Sequence, residues 1–188
     1  MKRVITIHGW EGYPEGGWRP WLRQKLLKKG IEVVNPAMPN TKHPKMNKWV
    51  KHLKSVIGTP SDNTVLVGHS LGVITILRYL ETLKAGERIG GAIFVAGFSS
   101  DLNYEGYKGE LSSFFKTLVS WNKVKKHCNN FIILHSKDDP WVPLKHALLM
   151  EEKLRVKAII QDGMKHYSGD DGITELPILI ELIDGLKS

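Results

Sequence analysis

Short apolar runs rich in β-branched residues recur along the chain, each stopped by glycine, asparagine or proline, and segments of helical period lie between them. The runs fall at 3–7, 31–34, 64–68, 92–96, 131–134 and 157–161. All are the length of strands, and several are apolar at successive positions, as expected where both faces of a sheet are covered. Helical segments intervene. One opens at Trp18-Arg19-Pro20-Trp21-Leu22 and is closed by Gly30. Others are expected at about 46–57, from behind Ser70 to about Leu83, at 110–119, at 144–154 and at 173–186. Six strands alternating with helices predict a three-layer α/β fold, with a parallel sheet of about six strands and helices on both faces. No repeat, linker or low-complexity segment divides the 188 residues, so a single domain, 1–188, is expected.

One junction stands apart. The run Val65-Leu66-Val67 stops at Gly68-His69-Ser70-Leu71-Gly72, and a helical pattern starts at once behind it. This is G-x-S-x-G between a strand and a helix, the setting in which the turn thrusts a serine hydroxyl clear of the sheet as a nucleophile. Gly68 and Gly72 let strand and helix approach without a clash between Cβ atoms. The N–H groups of the first helical turn, that of Leu71 above all, point where an oxyanion would develop. His8-Gly9-Trp10, a glycine-bearing turn behind the first strand, makes the backbone N–H of Trp10 the candidate second donor, with His8 supporting the turn.

A serine of this kind needs a base and a group that orients the base. Of the eight histidines, only His146 and His166 lie beyond an acid in the loop after the fifth strand. His146 falls inside a predicted helix, whereas His166 occupies the loop after the last strand, so His166 is the expected base. His43, His52 and His127 have basic neighbours and are expected in solvent. Asp138 and Asp139 are the candidate acids. Consecutive residues in an extended segment face opposite ways, and Pro140 holds Asp139 extended, which favours Asp139. The aromatic-rich segment 98–121, with Phe98, Tyr104, Tyr107, Phe114, Phe115 and Trp121, is too short for a lid domain. Phe98 and Phe114, with Trp10 and Trp141, are expected to wall a substrate pocket.

Composition changes the picture little. Hydrophobic content of 41% and charged content of 24% are ordinary for a globule, and no apolar run approaches a membrane span. A lone cysteine, Cys128, excludes an internal disulfide and a cysteine-rich metal site, and a cytoplasmic protein is expected. No histidine pair has metal-ligand spacing, so neither metal nor other cofactor is expected. Charge is uneven: residues 1–60 carry 12 Lys and Arg against 3 Asp and Glu. The lysines at 45, 48, 51 and 54 read as a solvated helix face, and without a nucleic-acid motif no nucleic-acid partner is expected.

Taken together, His8-Gly9-Trp10, the elbow, Ser136-Lys137-Asp138-Asp139-Pro140-Trp141-Val142-Pro143, His166 and Thr174-Glu175-Leu176-Pro177 resemble the small α/β-hydrolase family of the retinoblastoma-binding serine hydrolase and its bacterial relatives. The resemblance spans essentially the whole chain, including Asn35-Pro36-Ala37-Met38-Pro39-Asn40. It implies a trimmed α/β-hydrolase fold, a triad of Ser70, Asp139 and His166, and hydrolysis of small ester, thioester or amide substrates through an acyl-enzyme. The alternative is a non-catalytic binding module on the same scaffold. Binding to the retinoblastoma pocket is not expected, because Lys126, Cys128 and Asn130 stand where L-x-C-x-E would place Leu, Cys and Glu.

Overall fold

The computed structural model describes residues 2–103 and 109–186. Six strands, β1 (Arg3–Ile7), β2 (Glu32–Val34), β3 (Thr64–His69), β4 (Gly91–Val95), β5 (Phe131–Ser136) and β6 (Ile159–Gln161), form one sheet in the order β2-β1-β3-β4-β5-β6. Every pairing is parallel, with Ile7 opposite Gly68 and His69 opposite Val95. The six helices are α1 (Arg19–Leu27), α2 (Met46–Ile57), α3 (Leu71–Leu80), α4 (Trp121–His127), α5 (Lys145–Leu154) and α6 (Ile178–Gly185).

Two apolar layers explain the stability of this sandwich. On one face Trp49, Leu53, Ile76, Val124 and Met150, from α2 to α5, pack on Ile5, Leu66 and Phe94; on the other, Leu22, Leu26, Leu179 and Ile183 of α1 and α6 pack on Val4, Val67 and Ile93. All ten residues of α3 are buried, which is why its apolar positions run nearly all round the helix. No helix among the described residues is long and apolar enough to cross a membrane.

Two expected helices are corrected, and one that was not expected appears. The segment expected helical at 110–119 holds only a 3-10 turn, Ser112–Phe114. Its carbonyls are claimed from outside: the Arg78 guanidinium donates to Phe114 O at 2.8 and 3.0 Å, and also to Thr117 O and Leu118 O. The chain turns helical afterwards, in α4, whose last turn carries Lys125, Lys126 and His127 against the negative end of the helix dipole. Finally, α6 begins at Ile178 rather than 173, since Pro177 holds the preceding residue out of the helical region. His127, expected in solvent, is buried, and its Nδ1 lies 2.7 Å from the Glu87 carbonyl. Tyr104 and Tyr107 lie outside the described residues.

Candidate active site

The strand order reverses between β1 and β3: the chain runs outward to β2 and returns to the other side of β1. At such a switch point the loops at the carboxyl ends of the strands part and leave a crevice. Here it is a cleft of about 360 Å³, lined from β1 by Trp10, from β3 by Ser70, from β4 by Phe98, from β5 by Trp141 and Val142, and from β6 by His166.

Ser70 sits on the corner between β3 and α3 with φ 54° and ψ −120°. Its backbone lies where a residue with a Cβ is strained, and strain of this kind persists only where the surroundings over-determine it. They do so on every side. The Ser70 N–H donates to Val95 O at 3.0 Å, and a Cβ at Gly72 would meet Ile7 O at 2.2 Å. A Cβ at Gly9 would stand 2.9 Å from the Ser70 Cβ, so the turn behind β1 lies directly against the serine. His8 fixes that turn. Its Nε2 accepts from the Met38 N–H at 3.1 Å, which leaves the proton on Nδ1 to donate to Gly9 O at 2.9 Å. Burial pushes this imidazole down to about 4, so it stays neutral. Leu71 opens α3, where the first N–H groups have no intrahelical acceptor.

His166 Nδ1 lies 2.8 Å from Asp139 Oδ2 and 3.1 Å from Oδ1. The carboxylate is itself held, because Asp139 Oδ1 accepts the N–H groups of Trp141 and Val142, each at 2.9 Å. Asp138 faces elsewhere. It accepts from Ser136 Oγ and, at 3.2 Å, from the Lys165 N–H, and the Ser136 hydroxyl holds its carboxyl below the usual range. With Nδ1 donating to Asp139, the lone pair of His166 Nε2 is the one available as a base.

Four further residues hold this pair, and the sequence reading assigned none of them. His69 Nε2 donates to His166 O at 2.7 Å, and burial keeps that ring neutral. Trp18 Nε1 donates to the next carbonyl, Tyr167 O, at 3.1 Å. Asp171 Oδ2 accepts from the His166 N–H at 3.0 Å and from Ser168 Oγ at 2.7 Å. His135, fully buried, bonds Val142 O at 2.9 Å and stands 3.9 Å from Asp139. Only Asp171 had a local signal, the Ser168-x-x-Asp171 spacing of a self-capped turn.

Of the expected wall, Trp10, Phe98 and Trp141 line the cleft, joined by Tyr13 and Leu111. Phe114 does not. It is fully buried, 6.0 Å from Trp49 in an edge-to-face pair, because Arg78 draws its carbonyl inward and the ring follows into the core.

A doubly covered parallel sheet with a strained serine between strand and helix, opposite a carboxylate-held histidine, defines an α/β-hydrolase. The chain belongs to the serine hydrolase family, whose model matches residues 4–185. It is 31% identical over 182 residues to the hydrolase YdeN of Bacillus subtilis (strain 168), covering 97% of this chain and 94% of that protein. To the serine hydrolase RBBP9 of Rattus norvegicus it is 26% identical over 183 residues, covering 97% and 88%. The crystal structure of the B. subtilis ydeN product superposes with a TM-score of 0.92 at 30% identity, over 99% of this chain and 98% of that one. A Pseudomonas fluorescens meta-cleavage product hydrolase, 17% identical with a TM-score of 0.71 over 100% of this chain and 92% of that one, shares the fold.

Proposed function

We propose that this chain is an esterase-like serine hydrolase that cleaves small acyl substrates through an acyl-enzyme on Ser70. The observation that carries this reading is the coincidence, in one cleft, of Ser70 at φ 54° and a His166 bound by Asp139 at 2.8 Å. His166 Nε2 takes the hydroxyl proton as Oγ bonds the carbonyl carbon. The resulting oxyanion is met by the N–H groups of Trp10 and Leu71. Asp139 stabilises the imidazolium, which returns the proton to the leaving alkoxide as the acyl bond breaks. Water, deprotonated by His166 in turn, releases the acid and regenerates the serine. The cleft and its aromatic wall suit short to medium acyl groups. Both the single domain and the cytoplasmic location belong to this proposal, the latter resting on the lone buried Cys128.

The test is a fluorophosphonate probe beside a panel of esters of increasing acyl length. Wild type should label and turn over, and Ser70→Ala should lose hydrolysis by a factor on the order of 10³–10⁶. Labelling that survives the substitution would overturn the assignment.

A further inference from the structure

Arg19 is 6% exposed, and it lines the same cleft as Ser70 and His166. A guanidinium has five N–H donors and is costly to bury unless they are met. The chain's other buried arginine meets that demand: Arg78 pairs with Glu81 at 2.9 Å and donates to the carbonyls of Phe114, Thr117 and Leu118. Arg19 does not. Its Nε makes one long bond, 3.4 Å, to Tyr13 O, and among the described residues no carboxylate lies within ion-pair distance of it. The ring of Trp18, 5.4 Å from Cζ, gives the cation an apolar backing. Gly16 leaves the fork room, since a Cβ there would stand 2.9 Å from Nη2. Glu15, Glu11 and Asp170 are nearby or line the cleft, but all three are exposed.

We propose that Arg19 is the anchor for a carboxylate on the substrate, so that the esters this enzyme cleaves best carry an acid group on one side of the scissile bond. The inference rests on the hydrolase reading above and names its substrate class. A planar fork with two open Nη groups matches a carboxylate bidentately. Held in a partly desolvated wall, such a pair is strong, and an unpartnered cation there is a stability cost that the ligand offsets. Burial draws the guanidinium down to about 10, which leaves it charged at neutral pH.

Two matched pairs of esters test the proposal by proton release: monoethyl glutarate against ethyl pentanoate for the acyl side, and 3-butyryloxypropanoate against propyl butyrate for the alcohol side. The quantity read is the ratio of kcat/KM within a pair, which cancels any difference in folded enzyme. Wild type should favour the acid-bearing ester in one pair by about tenfold or more, the size of a charge-assisted hydrogen bond. Arg19→Met should erase that preference, and Arg19→Lys should retain part of it. The Met variant should also be at least as resistant to thermal unfolding as wild type, since an arginine with a purely structural role would be missed. A ratio that is the same in wild type and Arg19→Met for both pairs overturns the proposal. Should wild type cleave none of the four and fail to label with fluorophosphonate, the hydrolase reading falls instead. Anion binding is then read directly, by whether glutarate raises the unfolding temperature of wild type and not of Arg19→Met; no shift in wild type, or an equal shift in both, overturns it.

Discussion

Asp138 and Asp139 are adjacent, identical in residue type and both at the end of β5, yet their carboxylates face different partners. Asp139 accepts two backbone N–H groups and binds His166, while Asp138 closes a turn with Ser136 and Lys165. Under the proposed mechanism, Asp139→Asn should lower kcat on the order of 10⁴-fold, the size recorded for the equivalent change in a serine protease. Asp138→Asn should cost less than about tenfold. One activated ester assayed with both variants separates them, and the reverse order would move the acid by a residue. Asp171 acts at one remove. Lys165 and Tyr167, on either side of His166, have φ of 46° and 54°, and the bonds to Asp171 help hold that strained loop. Asp171→Ala should slow fluorophosphonate labelling by up to about a hundredfold, the cost of a base misplaced by an ångström. KM should change little, because nothing that holds the substrate is removed.

At the scale of elements, the elbow works because β1, β3 and α3 meet without side chains between them. A Cβ at Gly72 would lie 2.2 Å from Ile7 O, and one at Gly97 would lie 2.3 Å from Val73 Cγ2. Neither obstacle can give way cheaply, the first being strand backbone and the second the side chain of a fully buried helix. Gly72→Ala should therefore cost about 3 kcal/mol or more, measured as a lower urea midpoint at unchanged slope. A loss under about 1 kcal/mol would mean that α3 can slide along the sheet. Segment 109–120 carries the opposite lesson. Its sequence suits a helix, but Arg78 of α3 offers its carbonyls better partners than the segment's own N–H groups would.

Over the whole molecule, burial biases four of the histidines toward the neutral form. Burial pushes His8 and His146 down to about 4, and it also lowers His69 and His135. In the unfolded chain each would take up a proton near 6.5. Their contribution is therefore complete above that pH and drains away as the pH falls toward 4, by on the order of 3 kcal/mol for each of His8 and His146. On the alkaline side burial pushes Tyr79 and Cys128 up to about 12 and raises Tyr167 as well. These groups ionise first in the unfolded chain, so stability falls again as the pH rises past the ordinary thiol and phenol values. Urea unfolding should thus give a plateau between about pH 7 and 9, with the steeper loss in acid. A midpoint that holds constant from pH 7 to 5 would contradict the burial of these rings.

The linear chain by itself determined the alternation of strand and helix, the elbow around Ser70 and the loops bearing Asp139 and His166. Each follows from local pattern: short continuous apolar runs against segments of helical period, glycine where backbones touch, and proline where the chain must stay extended. Those signals are local and survive without knowledge of what lies across the sheet. What only the tertiary structure decided are contacts between residues far apart in the chain. Arg78 unwinding segment 109–120 and drawing Phe114 into the core is one such contact; His69 holding the carbonyl of His166, 97 positions away, is another. So is the burial of Arg19 beside the serine, which in the sequence is one more cation in a basic stretch. A side chain's neighbours across a fold set its solvation and its partners, and neither is written in the residues on either side of it.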